Sequence, residues 1–585
     1  MRRLRAAVAL PLLLASIVGA AATPSSAEPL PGPIDCPDHL TVDEVKALPK
    51  GTELGGFTVS SGVDPEPFTA SLLGVMDDAV APGRSMIVVE ASSSVIDDKG
   101  IWAGMSGSPV YLSDELVGAV AFGLTFGPSS IAGLTPAEDM FELPGVTPPA
   151  PLASLDVPLT RTMERRIAAA TSVTTQQVGD SMTRLPVPLA VSGGARVVDR
   201  LGAAVRAEGL PLIPYGASSR TTAAEPVDMA AGGSLGAGLS FGDVTVAGVG
   251  TTTFVCDGNA VGFGHPMFWT GPASLGATGA DTLTIVDGLE GSFKLANLTA
   301  NVGEVVQDRL AGIVAELGDA PPSALITSDT AAVDTGRTNA GETEVVQQDA
   351  FPFIAYLHTA ANIDSTFDLI GRGSAELEWT VSGTRRFGEP WTMTRTNRFV
   401  SFNDIAFGAV DELLSQLAQL HENGSERIRF TGLDVETNVR EGLHFLRIRD
   451  VLSSKNGTRF RDREVMRVRR GQQIWFKIVF DGVNAPAPTD VVVKMRAPGH
   501  TRKATVRFKG GAPNQFFGEC FFMECGPSLP ESSSFDDLLD ELSGADRNDQ
   551  LTTRVMVGSQ ERRKLRRIMD AVVRGKDRVR LVMVG

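Results

Sequence analysis

The segment Gly104-Met105-Ser106-Gly107-Ser108-Pro109 constrains the fold of this chain more than any other part of the sequence. Glycine admits backbone conformations that other residues avoid, so the segment is predicted to form a tight loop around Ser106. The residues that follow, Val110-Tyr111-Leu112, have the composition of a strand. We therefore expect a β-rich region in which a loop presents one serine side chain.

A serine in such a loop is suited to act as a nucleophile. The backbone amides of Gly104 and Ser106 can point the same way, as an oxyanion hole requires, and Gly107 leaves room for a substrate. The pattern differs from the Gly-x-Ser-x-Gly elbow of α/β-hydrolases, because residue 108 is serine and no helical pattern follows. The alternative interpretation is an ordinary Gly/Ser turn between two strands.

The first 27 residues have the pattern of a secretory signal peptide. Three arginines within the first five residues precede an apolar stretch over 6–22, and Ser25-Ser26-Ala27 provides small residues for cleavage. No later stretch is apolar over the ~20 residues that a membrane helix needs. We expect a secreted or cell-envelope-associated protein with no transmembrane span after signal cleavage; an uncleaved anchor is the alternative.

Composition favours a mainly β protein with substantial cores. The chain of 585 residues is 43% hydrophobic and contains 62 glycines and 35 prolines, which favour turns between strands. The net charge of −16 argues against nucleic acid as a partner. No Cys/His cluster has the spacing of a zinc site, and neither a metal nor an organic cofactor is indicated.

The four cysteines are compatible with disulfides in an exported protein. Cys520 and Cys525 are close in sequence, which would leave Cys36 to pair with Cys256. Four cysteines permit three connectivities, and free buried thiols are also compatible with the sequence.

Three regions are predicted along the chain. The signal peptide covers 1–27, a β-rich domain covers 28–345, and a β-rich region with a few helices covers 346–585. The first domain contains a helical insertion at about 155–215, where 161–170 and 195–208 are amphipathic. The last region alternates apolar and polar residues as β-sandwich strands do, and the basic stretch Gln560–Arg574 is predicted to be a helix with a solvated face.

Serine needs a base within hydrogen-bond reach, and histidine is suited because its pKa lies near neutral pH. Of six histidines, His265 stands out, because it lies in a Gly-rich turn at the end of a predicted strand. A structural turn histidine is the alternative interpretation.

The two motifs together resemble the SpoIVB-type serine peptidases, which are exported bacterial endopeptidases with a trypsin-like fold. The resemblance rests on the 104–109 loop and on Gly264-His265-Pro266, with support from 131–140 and 292–312, and it covers about 50–330. It implies a double β-barrel in which Ser106 is the nucleophile and His265 the base. The histidine precedes the serine in trypsin and in the sporulation protease that names the family. Here His265 follows Ser106 by 159 positions, as circular permutation would produce.

The acid of a catalytic triad is the least defined element of the sequence. Glu90 ends an apolar strand upstream of the serine and is the preferred candidate. Four other carboxylates remain open: Asp97, Asp98, Asp257 and Asp281.

The predicted function is that of a secreted serine endopeptidase acting on protein or peptide substrates through a Ser-His pair, with contact to the cell envelope as a further expectation. A non-catalytic secreted binding protein on the same fold is the alternative from another class. The third hypothesis is an esterase-like hydrolase with a similar nucleophile.

Overall fold

The computed structural model describes residues 36–124, 128–143, 156–171, 174–218, 225–288, 291–488, 491–511 and 534–584. The predicted signal peptide, Cys520 and Cys525 lie outside these ranges. The protein is mainly β, with 53% strand and 18% helix. None of the helices in the described ranges combines the length and the apolar character needed to span a membrane.

The N-terminal part forms a closed six-stranded antiparallel barrel. Its strands are β1 Glu53–Thr58, β2 Glu66–Ala81, β3 Arg84–Ser92, β4 Pro109–Leu112, β5 Glu115–Leu124 and β6 Ile131–Pro136, with helices α1 Val42–Ala47, α2 Ser94–Lys99 and α3 Ala137–Phe141 around them. The pairing order β4-β1-β2-β3-β6-β5 closes because β4 also pairs with β5. The β4–β5 hairpin expected from the sequence is present, and Ser113 takes the positive φ of 55° at its turn.

Helices and short strands follow the barrel, as predicted for 155–215. They are β7 Asp156–Pro158, α4 Arg161–Thr171, α5 Thr175–Val178, β8 Ser181–Arg184, β9 Val187–Val191, α6 Ala195–Ala207 and β10 Leu212–Gly216. Strands β7 and β8 extend the sheet of the barrel, whereas β9 and β10 pair in parallel at one end of the next sheet. The segment from β8 to β9 therefore passes from one sheet to the other.

A second ring of six antiparallel strands belongs to this next sheet. The strands are β11 Ser234–Gly242, β12 Val246–Cys256, β13 Asn259–Gly262, β14 Gly271–Gly288, β15 Gly291–Arg309 and β16 Gly312–Leu317. The order β12-β13-β16-β15-β14-β11 closes through pairing of β11 with β12. Strands β11 and β12 are buried along almost their whole length, so both faces of the ring are covered there.

The same sheet continues beyond the ring. It is completed by β17 Ala324–Ala332, β18 Arg337–Val345, β19 Gly373–Arg385, β20 Pro390–Ser401 and β21 Ile428–Glu441, covered by a 3-10 turn Gln348–Ala350 and the helices α7 Phe351–Phe367 and α8 Ile405–His421. One hydrophobic cluster joins both helices to the ring. The boundary expected at residue 346 thus falls within a continuous sheet, because β17 and β18 pair with strands on both sides of it.

The C-terminal part is a sandwich of two sheets around one apolar cluster. Its strands are β22 Phe445–Ser454, β23 Arg461–Asp462, β24 Val465–Arg469, β25 Gln473–Val483, β26 Val491–Arg496, β27 Lys503–Lys509, β28 Gln550–Val557, β29 Gln560–Ile568, β30 Val572–Arg574 and β31 Lys576–Val584. Helix α9 Phe535–Ser543 comes between β27 and β28 in the chain, but its apolar residues pack into the cluster that contains α7 and α8. One sheet has the order β23-β22-β25-β26 with β30 beside β22, and the other has the order β24-β31-β27-β28-β29.

The prediction of a basic helix at Gln560–Arg574 is wrong. The stretch forms β29 and β30, because β29 folds back on β28 as an antiparallel pair across a turn at Gly558. Pairing with a neighbouring strand outweighs the helical preference of arginine and lysine.

One disulfide is present among the described residues. Cys36 pairs with Cys256, which confirms the pairing expected between these two residues. It ties the start of the described chain to the end of β12 in the second ring.

Candidate active site

The serine loop lies between the two rings. It connects α2 to β4 of the barrel, and its backbone is bonded to β12 of the second ring. The amide of Thr251 donates to the carbonyl of Ser106 at 2.8 Å, and the Thr253 hydroxyl donates to the carbonyl of Gly107 at 2.7 Å. The loop is therefore held from both sides.

Successive carbonyl groups of the loop are fixed by hydrogen bonds. The carbonyl of Ala103 accepts from the amide of Lys294 at 2.9 Å, and that of Gly104 accepts from the Thr251 hydroxyl at 2.9 Å. The carbonyl of Met105 accepts from the amide of residue 108 at 3.0 Å. The orientation of every peptide plane from 103 to 107 is thereby set.

The amides of Gly104 and Ser106 are left as donors. In a trans peptide the N–H points opposite to the carbonyl of the preceding residue. Because the carbonyls of Ala103 and Met105 are held by hydrogen bonds, the amides of Gly104 and Ser106 point away from the groups that bind those carbonyls. Within the described part of the chain neither amide donates a hydrogen bond. These are the two amides that the sequence predicted for an oxyanion hole.

Both glycines of the loop are required by its conformation. Gly107 has a φ of 97°, and a Cβ there would lie 1.9 Å from the Thr251 carbonyl oxygen. Gly104 has a φ of 92°, and a Cβ there would lie 2.8 Å from the Cβ of Lys294. The glycine pattern in the sequence thus reflects close contact between the two rings.

The histidine loop follows β13 and meets the serine loop at Val120 of β5. The amide of Gly107 donates to the Val120 carbonyl at 2.7 Å. A Cβ on Gly264 would lie 2.9 Å from the same carbonyl oxygen, and one on Gly107 would lie 2.5 Å from the amide nitrogen of Phe263. The structure therefore brings the loops of Ser106 and His265 together, one from each ring.

The ring of His265 is oriented by a backbone carbonyl. Its Nδ1 lies 2.9 Å from the carbonyl oxygen of Pro266, which can only accept, so Nδ1 carries the proton. Nε2 is then an unprotonated acceptor. Nε2 of His265 and Oγ of Ser106 are both buried, and neither has a hydrogen-bond partner among the described residues, the other one included. Burial, and then the charge of Arg184, lowers the pKa of His265 to about 3.

Two charged residues hold the histidine loop, and the sequence did not single out either. Nη1 of Arg184 donates to the Pro266 carbonyl at 3.0 Å. The carboxylate of Asp308 accepts from the amides of residues 267, 268 and 269 at 2.7–2.8 Å. Burial raises the pKa of Asp308, and these amide bonds oppose that rise. The sequence signal that could have pointed to Asp308 was an aspartate near the end of a predicted strand.

The structure does not bring Glu90 to His265. Glu90 lies within β3, paired across the sheet with Ser71 and Ile131. It lines a cavity of about 470 Å³ together with Asp97, and neither Ser106 nor His265 lines that cavity. The orienting partner of His265 is the Pro266 carbonyl in place of a carboxylate.

The other acidic candidates also have different surroundings. Asp97 accepts from the Ser92 hydroxyl at 3.0 Å, and Asp98 forms an ion pair with Lys99. Asp257 lies in the β12–β13 turn, and Asp281 faces Asn297 across β14 and β15.

The segment from β8 to β9 covers the two loops. Arg184 contacts the Pro266 carbonyl, and the Leu185 amide donates to Ala121 at 3.0 Å. Cγ of Pro188 lies 3.1 Å from the position of a Cβ on Gly104. Ser106 is 0% exposed and His265 is 1% exposed, so this conformation of the site is closed to solvent.

Lys294 is a second functional candidate that the sequence analysis missed. Its side chain is fully buried next to Gly104, and Nζ donates to the hydroxyls of Ser234 at 3.2 Å and Thr251 at 3.4 Å. No carboxylate in the described ranges forms an ion pair with it. Burial lowers the pKa of Lys294 to about 7. The Thr251 hydroxyl that accepts from Nζ of Lys294 also donates to the carbonyl of Gly104, so the amine is linked to the serine loop through Thr251.

Replacing Lys294 with methionine is expected to flatten the pH dependence of stability between pH 7 and 10. In this window the unfolded chain binds a proton on Lys294 that the folded protein does not, so the free energy of unfolding rises with pH. Urea unfolding at pH 7.5 and 9.5 measures the slope. Lys50→Met, at an exposed lysine, is the control. An equal slope in wild type and Lys294→Met would contradict the lowered pKa.

The described residues contain one group of three potential metal ligands, Cys36, Cys256 and Asp257. Its two sulfurs form the disulfide, so the group offers no thiolates to a metal.

Comparison of the chain with protein families, with curated proteins and with solved structures finds no match. The chemistry of the site therefore has to be argued from its own geometry.

Proposed function

We propose that the protein is a serine endopeptidase built on a double β-barrel of the trypsin-like kind, with Ser106 as nucleophile and His265 as base. One observation carries the proposal: a serine loop from the barrel and a histidine loop from the second ring meet, each with an unpartnered polar atom. The backbone amides of Gly104 and of Ser106 itself donate no hydrogen bond to the described residues, so both are available to a substrate oxygen. A buried polar atom without a partner is costly, and a catalytic role is one of the reasons for which such an atom is kept.

The reaction divides into two transfers. Ser106 Oγ attacks the scissile carbonyl carbon while its proton moves to Nε2 of His265, and the amides of Gly104 and Ser106 stabilise the oxyanion. The C–N bond then breaks as His265 gives that proton to the leaving amine. Water, deprotonated by His265, hydrolyses the ester on Ser106 and restores the enzyme.

The Pro266 carbonyl performs the orienting part of the role that aspartate has in a triad. It selects the tautomer with Nδ1–H and fixes the plane of the ring, and Arg184 holds the same carbonyl in place. It adds no negative charge to stabilise an imidazolium. We therefore expect slower turnover than with a complete triad.

The family and the location are part of the proposal. The two closed rings and the Gly-x-Ser-Gly-x-Pro and Gly-His-Pro motifs support a SpoIVB-type peptidase with its halves in reversed chain order. The basic and apolar N-terminal sequence supports secretion or association with the cell envelope.

A non-catalytic binding protein is the second candidate, and one observation favours it. Ser106 and His265 are both buried, so this conformation gives a substrate no access to either side chain.

A fluorophosphonate probe distinguishes the two candidates. The wild-type protein is expected to form a stable adduct at Ser106, detected by intact mass and peptide mapping. Ser106→Ala should lose the adduct, whereas Ser108→Ala, which removes a second buried serine of the same loop, should keep it. Absence of any adduct in folded wild-type protein over a day would support the binding protein instead.

A further inference from the structure

The charge of the chain is divided unequally. Residues 445–585, which include the C-terminal sandwich, contain 27 Lys and Arg against 17 Asp and Glu, a net charge of +10. Residues 1–444 contain 26 against 52, a net charge of −26. The overall negative charge therefore conceals a positively charged domain.

The cations of the sandwich gather on one sheet face. In the sheet β24-β31-β27-β28-β29, the apolar residues of β24, β31 and β27 face the core of the sandwich, and the alternate residues of these three strands face solvent. Arg507 lies opposite Arg554 on one side and Arg578 on the other. Two positions along, Lys509 lies opposite Lys576.

Four of these residues form a cationic block at the centre of the face: Arg507, Lys509, Lys576 and Arg578. All four side chains are exposed. Within the described part of the chain, none of the four has an acidic partner. Asp546 instead pairs with cations nearer the β29 edge, namely Arg554, Lys564 and Arg566.

Such an arrangement costs stability unless an anion is bound. Like charges directly opposite on neighbouring strands repel each other, and the block contains two such pairs, Arg507–Arg578 and Lys509–Lys576. An external anion would relieve both repulsions at once.

A cavity extends the block at one end. Lys509 and Lys576 line a cavity of about 470 Å³ together with Arg574 and the backbone of Gly510 and Gly575. Among the residues that the structure describes, no acidic side chain lines it. Positive charge thus continues from the flat face into a recess.

We propose that the cationic block binds a linear polyanion that carries repeated phosphate groups and no bases. Guanidinium groups match phosphate oxygens in a two-bond geometry. A protein partner would need an apolar centre, but the solvent-accessible neighbours of the block on this face include Thr505 and Arg580. The four residues of the block include no aromatic side chain on which bases could stack, and the ring of Phe402, which lines the recess, is already in contact with the guanidinium of Arg574, 5.1 Å from its centroid. The inference is independent of the proposed peptidase activity.

Long-chain inorganic polyphosphate is the probe, titrated into the full-length protein at 50 and 200 mM NaCl with binding followed by calorimetry. The double variant Lys509→Gln/Lys576→Gln should weaken binding at least tenfold and reduce its salt dependence. The control Arg372→Gln/Arg427→Gln, which removes two exposed cations outside the sandwich, should change affinity less than twofold.

Thermal unfolding shows that the test reports binding and not folding. Because the substitutions remove a like-charged pair, the double variant should unfold at the same or a higher temperature than wild type.

Several results would overturn the proposal. They are no binding of polyphosphate at 50 mM NaCl, equal weakening in the control, or tighter binding to duplex DNA or to phosphatidylglycerol vesicles. If the wild type forms a dimer at low salt and the double variant does not, the face binds the acidic part of a second copy of the chain and not a polyanion.

Discussion

His265→Ala is expected to lower the turnover of a peptide substrate by roughly 10⁴-fold or more. Without the imidazole, Ser106 loses its proposed proton acceptor, and the other amine described beside the serine loop, Nζ of Lys294, is directed at the hydroxyls of Ser234 and Thr251. The oxyanion amides of Gly104 and Ser106 remain, so some activity above the uncatalysed rate should persist. Initial rates with a fluorogenic peptide, normalised to folded protein, provide the measurement.

His358→Ala is the matched control for this substitution. His358 is also fully buried, but its two ring nitrogens contact the hydroxyls of Ser328 and Thr343 at 2.8 Å. Its loss should reduce stability and leave the rate per folded molecule within a few-fold of wild type. Equal loss of turnover in both variants would mean that His265 acts only through folding.

The pH dependence of turnover tests the role of His265 independently of any substitution. Because the pKa of His265 is lowered to about 3, its neutral form persists as pH falls from 7 to 5. Turnover limited by this base should therefore stay level over that range. A half-maximal rate near pH 6.5 would show that His265 titrates as an exposed histidine does.

Gly107→Ala is expected to destabilise the protein by about 3 kcal/mol or more and to abolish activity. The new Cβ would meet the carbonyl oxygen of Thr251 at 1.9 Å and the amide nitrogen of Phe263 at 2.5 Å. Both obstacles are backbone atoms of the second ring, so no side-chain rotation relieves them. The substitution should also push the serine loop away from His265.

Gly258→Ala separates conformational strain from this clash. Gly258 also has a positive φ, 77°, but nothing lies within 4 Å of its added Cβ. Its cost should be about 1 kcal/mol, the cost of a left-handed conformation alone. Urea unfolding of both variants measures the difference. Equal midpoints would contradict the close contact described between the two rings.

The local features of the serine loop could be predicted from the sequence because short-range rules govern them. The two glycines predicted a tight turn at Gly104 and room for a substrate at Gly107. Both residues have a positive φ, but backbone atoms of Thr251 and Phe263 fill the space beside Gly107. The β4–β5 hairpin and the serine cap of α9, in which Ser534 accepts from the amide of Asp537, also follow from neighbouring residues.

The contacts that complete the site could not be predicted, because they join residues far apart in the chain. Asp308 binds amides some 40 residues away, and Arg184 reaches a carbonyl 82 residues away. Glu90 was selected by its place before the serine, whereas a backbone carbonyl next to His265 occupies the orienting position. No local pattern distinguishes a carbonyl with this role from any other.

The fold was predictable at the level of composition and alternation, but not of connectivity. Alternating residues indicated a C-terminal sandwich, yet the sheet of the second ring runs past residue 346 as far as β20 and β21. The error at 560–574 has a similar cause, since strand pairing with β28 determines the conformation of an arginine-rich segment.

The position of Ser106 on the first ring and His265 on the second has a consequence for biosynthesis. The ribosome makes the nucleophile 159 residues before the base, and the first ring can close while the second is still being synthesised. If Ser106 and His265 act as proposed, a nascent or truncated chain carries the serine without its proton acceptor. The Ser-His pair can then form only when translation is far enough advanced for the second ring to fold.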